Sequence, residues 1–402
     1  MSYLDKYNLY KRNFDARPTP VFLGDELRLI GLDFVSDFQI CPDWSLEEPP
    51  APLLKELPEG TDLSSLFALA DKDILENKSF KYFLIGRDGG DLGPKSARAV
   101  ILLHGLNEKK WDKYLPMAAR LASGLDAQVV LFPLAFHMNR APELWSNTRI
   151  MGKVSKWRES LHPHLIGSSL SNAAISYRIQ QNPSRFFYSG LESYQNVLEL
   201  LRRIRADEHP FIAADAQIDF FTYSIGSFLG EILFLTNQDN LFDESRLIAF
   251  CGGPVFNRLA AVSKFIIDSE AEVALYSFLI EHLESRSRSD ELLRTLLNRP
   301  GVGSNFKAML NYRLDREYRE ERFKALSNRL LALTLTKDDV VPPYEATATF
   351  QGARGDIPVK VAEFDPPYPY RHEDPFPVSQ KYASQIDEWF DRIFAEAIAF
   401  LR

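Results

Sequence analysis

An apolar run that stops abruptly at Ser224 constrains the fold of this chain more than any other stretch. Residues 218–223 read Ile-Asp-Phe-Phe-Thr-Tyr, which is typical of a buried strand, and a helical pattern follows Gly226. In a strand–turn–helix arrangement the turn holds the serine hydroxyl clear of the sheet, and the helix N-terminus favours negative charge beside it. The stretch therefore predicts a nucleophilic serine. Thr222 stands where the usual G-x-S-x-G pattern has its first glycine, so an ordinary serine at the end of a strand remains the alternative.

Composition narrows the class of protein. The chain has 402 residues, 45% of them hydrophobic and 25% charged, which is ordinary for a globular protein with a large core. Its net charge of −8 argues against nucleic acid as a partner, because phosphate binding requires a basic surface. Two cysteines, Cys41 and Cys251, cannot build a disulfide framework. Since no apolar segment is long enough to cross a bilayer and no signal-peptide pattern opens the chain, we expect a cytoplasmic protein with no membrane partner.

Strands alternate with helices along most of the chain. Residues 1–75 are rich in proline and predict an N-terminal arm with short strands, whereas residues 76–402 predict a single domain. This alternation indicates the α/β class, with a mostly parallel central sheet and helices on both faces. An amphipathic helix is expected at about residues 380–401. Apolar or alternating runs predict strands at residues 80–85, 99–103, 128–132, 218–223, 246–251, 330–336 and 359–364.

From about residue 80 onwards the chain resembles the α/β-hydrolase superfamily, including uncharacterised bacterial hydrolases of this fold. Four features carry the resemblance, and they occur in the family's order. They are His104-Gly105-Leu106 after a central strand, Ser224 at the turn, Asp338 four residues before Pro342, and His372 after the last strand. The resemblance implies the α/β-hydrolase fold with a helical cap inserted into it.

The same resemblance implies the chemistry of a serine hydrolase, which cleaves an ester or other acyl bond through an acyl-enzyme on Ser224. His372 would act as the base, because imidazole titrates near neutrality. Asp338 would orient that imidazole, with Asp339 as the alternative acid. The residues that would supply an oxyanion hole through their backbone amides are Leu106 and Ile225.

Two insertions, which we call excursions, extend the minimal α/β-hydrolase fold that the resemblance implies. Residues 136–187 carry seven basic side chains against two acidic ones, a local charge of +5 that could attract an anionic substrate to His137 and Arg140. The alternative is that these cations pair with acidic neighbours. Residues 257–324 are helical throughout, and we expect them to form a cap over Ser224. An annex used for homodimerisation is the alternative.

No metal or cofactor is expected. His162 and His164 lack a matching set of carboxylates or cysteines, so they do not predict a metal site. The expected partner is a small-molecule acyl substrate. Two other functions remain open: an acyltransferase, in which an alcohol or thiol replaces water, and a non-catalytic binding protein on the hydrolase fold.

Overall fold

One nine-stranded sheet forms the centre of the molecule in the computed structural model, which describes residues 1–16, 20–24, 26–38, 40, 48–87 and 94–402. Cys41 lies outside the described residues, and Cys251 is buried. In chain order the strands are β1 (Val21–Gly24), β2 (Leu27–Val35), β3 (Ser79–Arg87), β4 (Ser96–Leu103), β5 (Gln128–Phe132), β6 (Ile212–Tyr223), β7 (Leu247–Phe250), β8 (Leu330–Leu335) and β9 (Lys360–Phe364).

Helices precede, separate and follow these strands. Of those in the described ranges, none combines the length and the apolar composition needed to cross a bilayer. They are α1 (Tyr3–Ala16), α2 (Ala51–Leu54), α3 (Ser64–Phe67), α4 (Leu75–Lys78), α5 (Tyr114–Leu125), α6 (Thr148–Leu161), α7 (Ala173–Gln181), α8 (Ser184–Arg205), α9 (Ile225–Thr236), α10 (Ser269–Tyr276), α11 (Leu283–Ser289), α12 (Glu291–Leu297), α13 (Val302–Ala308), α14 (Arg316–Leu326), α15 (Pro343–Phe350) and α16 (Ala383–Leu401).

The sheet is mixed but mostly parallel. Its strand order is β1-β2-β3-β5-β4-β6-β7-β8-β9. Pairings among β1, β2, β3 and β5 are antiparallel, and all pairings from β5 through β4 to β9 are parallel. Residues 99–103 of β4 are fully buried, as their continuous apolar sequence predicts for a strand covered on both faces. The predicted α/β class is therefore confirmed.

The central strands contribute side chains to two hydrophobic cores, one on each face of the sheet, because successive side chains of a strand point to opposite faces. Phe220 lies on one face and packs edge-on against Phe234 of α9, with the ring centroids 5.4 Å apart. Phe221 lies on the other face and stacks on Phe394 of α16, also at 5.4 Å. Thus α8 and α9 cover one side of the sheet, and α1, α5 and α16 cover the other.

The N-terminal segment is built into the body. β2 pairs with β3 along its whole length, from Leu27 opposite Arg87 to Val35 opposite Ser79. The segment predicted as an arm therefore adds two strands, β1 and β2, at one edge of the main sheet. Residues 51–78 instead cover the first excursion, where the Phe67 ring lies 4.8 Å from that of Tyr177.

The two excursions contact each other. Helix α10, from the second, packs against α7, from the first. Arg158 and Asp268 join them through a bidentate pair, in which Arg158 Nε donates to Oδ2 at 3.0 Å and Nη2 donates to Oδ1 at 2.8 Å, and both side chains are at most 1% exposed. The later helices α13 and α14 pack against α9 instead. The second excursion is thus divided between a part above the first excursion and a part on the flank of the body.

Candidate active site

Ser224 occupies a strained turn between β6 and α9. Its backbone has φ 55° and ψ −121°, a conformation that residues with a side chain rarely adopt. The Ser224 amide donates to the Phe250 carbonyl of the neighbouring strand at 3.2 Å, and the Ser227 amide donates to the Ser224 carbonyl at 2.8 Å. These bonds hold the turn, which directs the hydroxyl out of the sheet.

Thr222 fits beside this turn because its neighbours leave room for it. Its hydroxyl donates to the Ile248 carbonyl at 2.8 Å, and its methyl group lies over Gly230, where a Cβ atom would be 3.1 Å away. The position that requires glycine is Gly226, where a Cβ would lie 2.6 Å from the Leu103 carbonyl oxygen. The close approach of helix to sheet is therefore provided by Gly226 and Gly230, and a threonine is accommodated before the serine.

His372 connects the serine to an acid. It lies in the loop between β9 and α16 and is buried. Its Nε2 atom is 2.8 Å from Ser224 Oγ, and its Nδ1 atom is 2.8 Å from Asp338 Oδ2. The Tyr223 hydroxyl donates to the His372 carbonyl and so fixes the loop. With Nδ1–H donating to the carboxylate, Nε2 is free to accept the serine proton.

Asp338 is held in place by the loop that follows β8. Its Oδ1 atom accepts hydrogen bonds from the amides of Val340 and Val341 at 3.0 and 2.8 Å. The adjacent Asp339 is exposed. The structure thus brings Asp338 to the histidine and leaves Asp339 in solvent.

Cys251 also lies beside Asp338, a contact that the sequence pattern did not predict. Burial, and then the negative charge of Asp338, raise the pKa of the Cys251 thiol well above its usual value. The thiol therefore stays neutral next to the carboxylate. In the sequence, the signal for this contact is that Cys251 directly follows β7. That strand is the neighbour of β8, which Asp338 follows.

The loop of residues 104–106 lies directly against the serine turn. A Cβ at Gly105 would be 3.5 Å from Ser224 Cβ. His104 shapes this loop: its Nε2 accepts from the Leu134 amide at 2.9 Å, and its Nδ1–H donates to the Gly105 carbonyl at 2.8 Å. Burial lowers the pKa of His104 well below its usual value, so the ring is neutral.

Two backbone amides beside the serine have no acceptor among the residues that the structure describes. In the part of the chain that the structure describes, neither the Leu106 nor the Ile225 N–H donates a hydrogen bond to another protein group. Both residues also line the cavities next to the site. Unsatisfied amides at the start of a helix and in a facing loop are donors suited to a developing negative charge.

Two small cavities meet at Leu106 and Ile225. One, of about 80 Å³, is lined mainly by apolar residues, most of them from α8, α9 and α13, including Leu191, Phe228 and Phe306. The other, of about 30 Å³, lies beside Ser224. Its walls include five apolar residues of the second excursion, namely Leu259, Ala261, Ile266, Ile267 and Leu275. We refer to residues 259–275 as the cap, because residues from this stretch form part of the wall of the cavity beside Ser224.

Two hydrogen bonds connect the part of the cap before α10, which we call the cap loop, to the loops that carry Leu106 and His372. Asn107 follows the 104–106 loop directly, and its side chain donates to the Phe265 carbonyl at 2.7 Å. Glu373 follows the histidine directly, and it accepts from the Ser263 hydroxyl at 2.6 Å. The cap is thus hydrogen-bonded to the residue that directly follows Leu106 and to the residue that directly follows His372.

The structure separates His137 and Arg140, the two residues predicted to contact substrate: His137 lines a cavity, and Arg140 does not. Arg140 is fully buried and pairs with Glu192 at 2.8 Å, while its Nε donates to the Asn77 side chain at 3.1 Å. A substrate carboxylate cannot reach it. His137 lines the apolar cavity, but its Nδ1–H donates to the Ala135 carbonyl at 2.8 Å. Burial lowers the pKa of His137 to about 4, so the ring is uncharged.

Other cations of the first excursion are also paired with carboxylates. Arg158 pairs with Asp268 of the second excursion. Arg178 and Arg185 both contact Asp71 of the N-terminal segment. Acids from distant parts of the sequence therefore offset much of the local excess of positive charge, which weakens the expected attraction for anionic substrates.

We expect Arg140→Met to lower the free energy of unfolding by about 3 to 5 kcal/mol, because it leaves the Glu192 carboxylate buried without its partner. Arg149→Met, which changes an exposed arginine of the same excursion, should alter it by no more than about 0.5 kcal/mol. Urea unfolding followed by circular dichroism measures both values. Equal stabilities of the two variants would contradict a structural role for Arg140.

Sheet order and the placement of the site define the class of protein. A mostly parallel sheet of this order, with a serine at the turn after β6, an acid after β8 and a histidine after β9, is the architecture of the α/β-hydrolase fold. Over residues 1–402 the chain belongs to a family described as a family of unknown function (DUF6051). No curated protein sequence matches the chain.

Three solved structures resemble the chain at low sequence identity. TT1662 from Thermus thermophilus is 13% identical with a TM-score of 0.41, covering 80% of this chain and 92% of its own. The peroxisomal α/β-hydrolase Lpx1 from Saccharomyces cerevisiae is 12% identical with a TM-score of 0.40, covering 94% and 90%. A cold-adapted esterase from an Arctic intertidal metagenomic library is 12% identical with a TM-score of 0.37, covering 94% of both chains. Similarity this distant carries no functional argument.

Proposed function

We propose that the protein is a serine hydrolase that cleaves an ester or another acyl bond of a small molecule through an acyl-enzyme on Ser224. The observation that carries this proposal is the pair of 2.8 Å hydrogen bonds from Ser224 to His372 and from His372 to Asp338. A serine hydroxyl is a weak nucleophile near neutral pH, and a hydrogen-bonded base is what makes it reactive.

In the first half-reaction, Ser224 Oγ attacks the acyl carbon while its proton moves to His372 Nε2. Asp338 stabilises the imidazolium that forms. The free amides of Leu106 and Ile225 bind the oxygen that becomes negative, a contribution of about 3 kcal/mol per donor. His372 then gives the proton to the leaving alcohol, and the acyl group remains on the serine.

In the second half-reaction, water replaces the alcohol. His372 removes a proton from the water, whose oxygen attacks the acyl carbon. The bond to Ser224 Oγ breaks, and His372 returns the proton to the serine. The products are a free carboxylic acid and the original enzyme.

The surroundings of the serine favour a working site over a non-catalytic binding protein. The strongest support for a binding protein was the crowding expected from Thr222, and that residue is accommodated with its hydroxyl bonded to Ile248. The apolar cavity beside Leu106 and Ile225 is suited to a short hydrocarbon chain, since almost all of its lining is apolar.

A panel of 4-nitrophenyl esters with acetyl, butyryl and hexanoyl groups tests the proposal. We expect release of nitrophenol and of free acid by the wild-type protein, and none above background by Ser224→Ala. Added alcohols distinguish the acyltransferase, because they would then appear in the product as new esters at the expense of free acid. Turnover that survives Ser224→Ala would refute the proposed mechanism.

A further inference from the structure

One ionisable residue, Glu272, is among the described residues that line the cavity beside Ser224. Among the described residues that line it, Glu272 is the only one with an acidic or basic side chain. Its neighbours there are mainly apolar, such as Phe256 and Leu275. Glu272 belongs to α10, the helix of the cap that covers the serine.

The Glu272 carboxyl group is incompletely hydrogen-bonded within the described part of the chain. Its Oε2 atom is buried and makes no hydrogen bond to another described residue. Burial raises the pKa of Glu272 above its usual value. By contrast, Glu270, two residues earlier on the same helix, has an oxygen 3.7 Å from His162 Nδ1.

A buried carboxyl oxygen without a partner raises the free energy of the empty protein, and a ligand that supplies a donor removes that cost. The strongest such donor is a cation that also carries N–H, because a charge-assisted hydrogen bond adds charge attraction to the bond itself. Since Glu272 and Ser224 line the same small cavity, one substrate can contact both.

We propose that Glu272 selects acyl substrates that carry an ammonium group in the part of the substrate molecule that lies next to α10. The inference rests on the proposed serine hydrolase function, whose reactive serine shares this cavity. The apolar walls would hold the methylene groups of such a substrate, and the carboxyl would bind its N–H. Leu106 and Ile225 adjoin the same cavity, so the reacting carbonyl would lie between the two amides and the serine.

Matched esters test this proposal at about pH 7, where a tertiary amine is protonated. One pair places the cation in the alcohol: 2-(dimethylamino)ethyl butyrate against 3-methylbutyl butyrate. The other places it in the acyl group: methyl 4-(dimethylamino)butyrate against methyl 5-methylhexanoate. In one of the pairs, we expect the wild-type kcat/KM to favour the ammonium ester by about tenfold to a hundredfold. In Glu272→Gln this ratio should fall to about one, whereas Glu270→Gln should keep it.

Binding to an inactive variant separates this proposal from the proposed reaction. In Ser224→Ala, calorimetric titration should give a lower Kd for the ammonium ester of the selected pair than for its neutral partner, by about tenfold or more. Adding Glu272→Gln should abolish that difference. Equal Kd values in both pairs overturn the role of Glu272, whether or not the wild-type protein turns over esters. A preference that persists in the double variant overturns it as well.

Discussion

Ser224 is expected to be the one serine of this protein that a fluorophosphonate probe labels. The probe mimics the tetrahedral intermediate, so it needs a serine with a base at hydrogen-bond distance and donors for its oxygen. Ser224 has His372 at 2.8 Å and the free amides of Leu106 and Ile225 beside it. Intact-protein mass spectrometry followed by peptide mapping would show one adduct and its position.

Two variants and one neighbouring residue provide the controls for labelling. Ser224→Ala should give no adduct, and His372→Ala should reduce the labelling rate by at least about a hundredfold because the base is missing. Ser227 lies three residues away but is fully buried and bonded to Thr222, so it should stay unlabelled. Thermal unfolding would show that each variant is folded. An unlabelled wild-type protein, or an adduct on another serine, would exclude the proposed nucleophile.

Asp338→Asn is expected to lower kcat by about ten-thousand-fold. The oxygen of the introduced carboxamide could keep the bonds from the Val340 and Val341 amides, so the loop should retain its shape. The NH₂ group of that carboxamide would then face His372 and donate to Nδ1. That contact favours the tautomer with hydrogen on Nε2, which cannot accept the serine proton.

Asp339→Asn is the matched control, since it makes the same chemical change at the adjacent, exposed position. We expect its kcat to stay within about twofold of the wild-type value, because surface changes away from such contacts have small effects. Initial rates with a saturating nitrophenyl ester compare the two variants. The opposite ranking would assign the acid to Asp339 and would conflict with the hydrogen bonds of His372.

Local sequence was sufficient for the serine turn but not for its neighbour Thr222. Strand, turn and helix are contained in about a dozen consecutive residues, so their pattern could be recognised directly. Whether a threonine fits before the serine depends on the Ile248 carbonyl, which belongs to the neighbouring strand, and on Gly230, which faces the threonine one helical turn beyond Gly226. Tertiary packing therefore decided a question that the motif left open.

Local sequence was likewise insufficient to predict the electrostatics of the basic excursion, residues 136–187. Its excess of basic residues is visible in the sequence, but three of the acids that pair with them lie outside the excursion: Asp71 before it, and Glu192 and Asp268 after it. Charge summed over a segment cannot show such long-range pairing. Glu272 was missed for a related reason, since a single glutamate in a helical insertion has no motif, and only the fold shows that it lines the same cavity as the serine.

Asn107 and Glu373 join the cap to the two loops that carry Leu106 and His372. In the proposed hydrolase, moving the cap aside to admit a substrate would break both of these bonds. The two loops would then lose part of their support while bulk water could reach the serine, and closing the cap would restore that support. Access to the serine and order in the site would therefore be coupled, as in enzymes whose lids complete the catalytic site on closing.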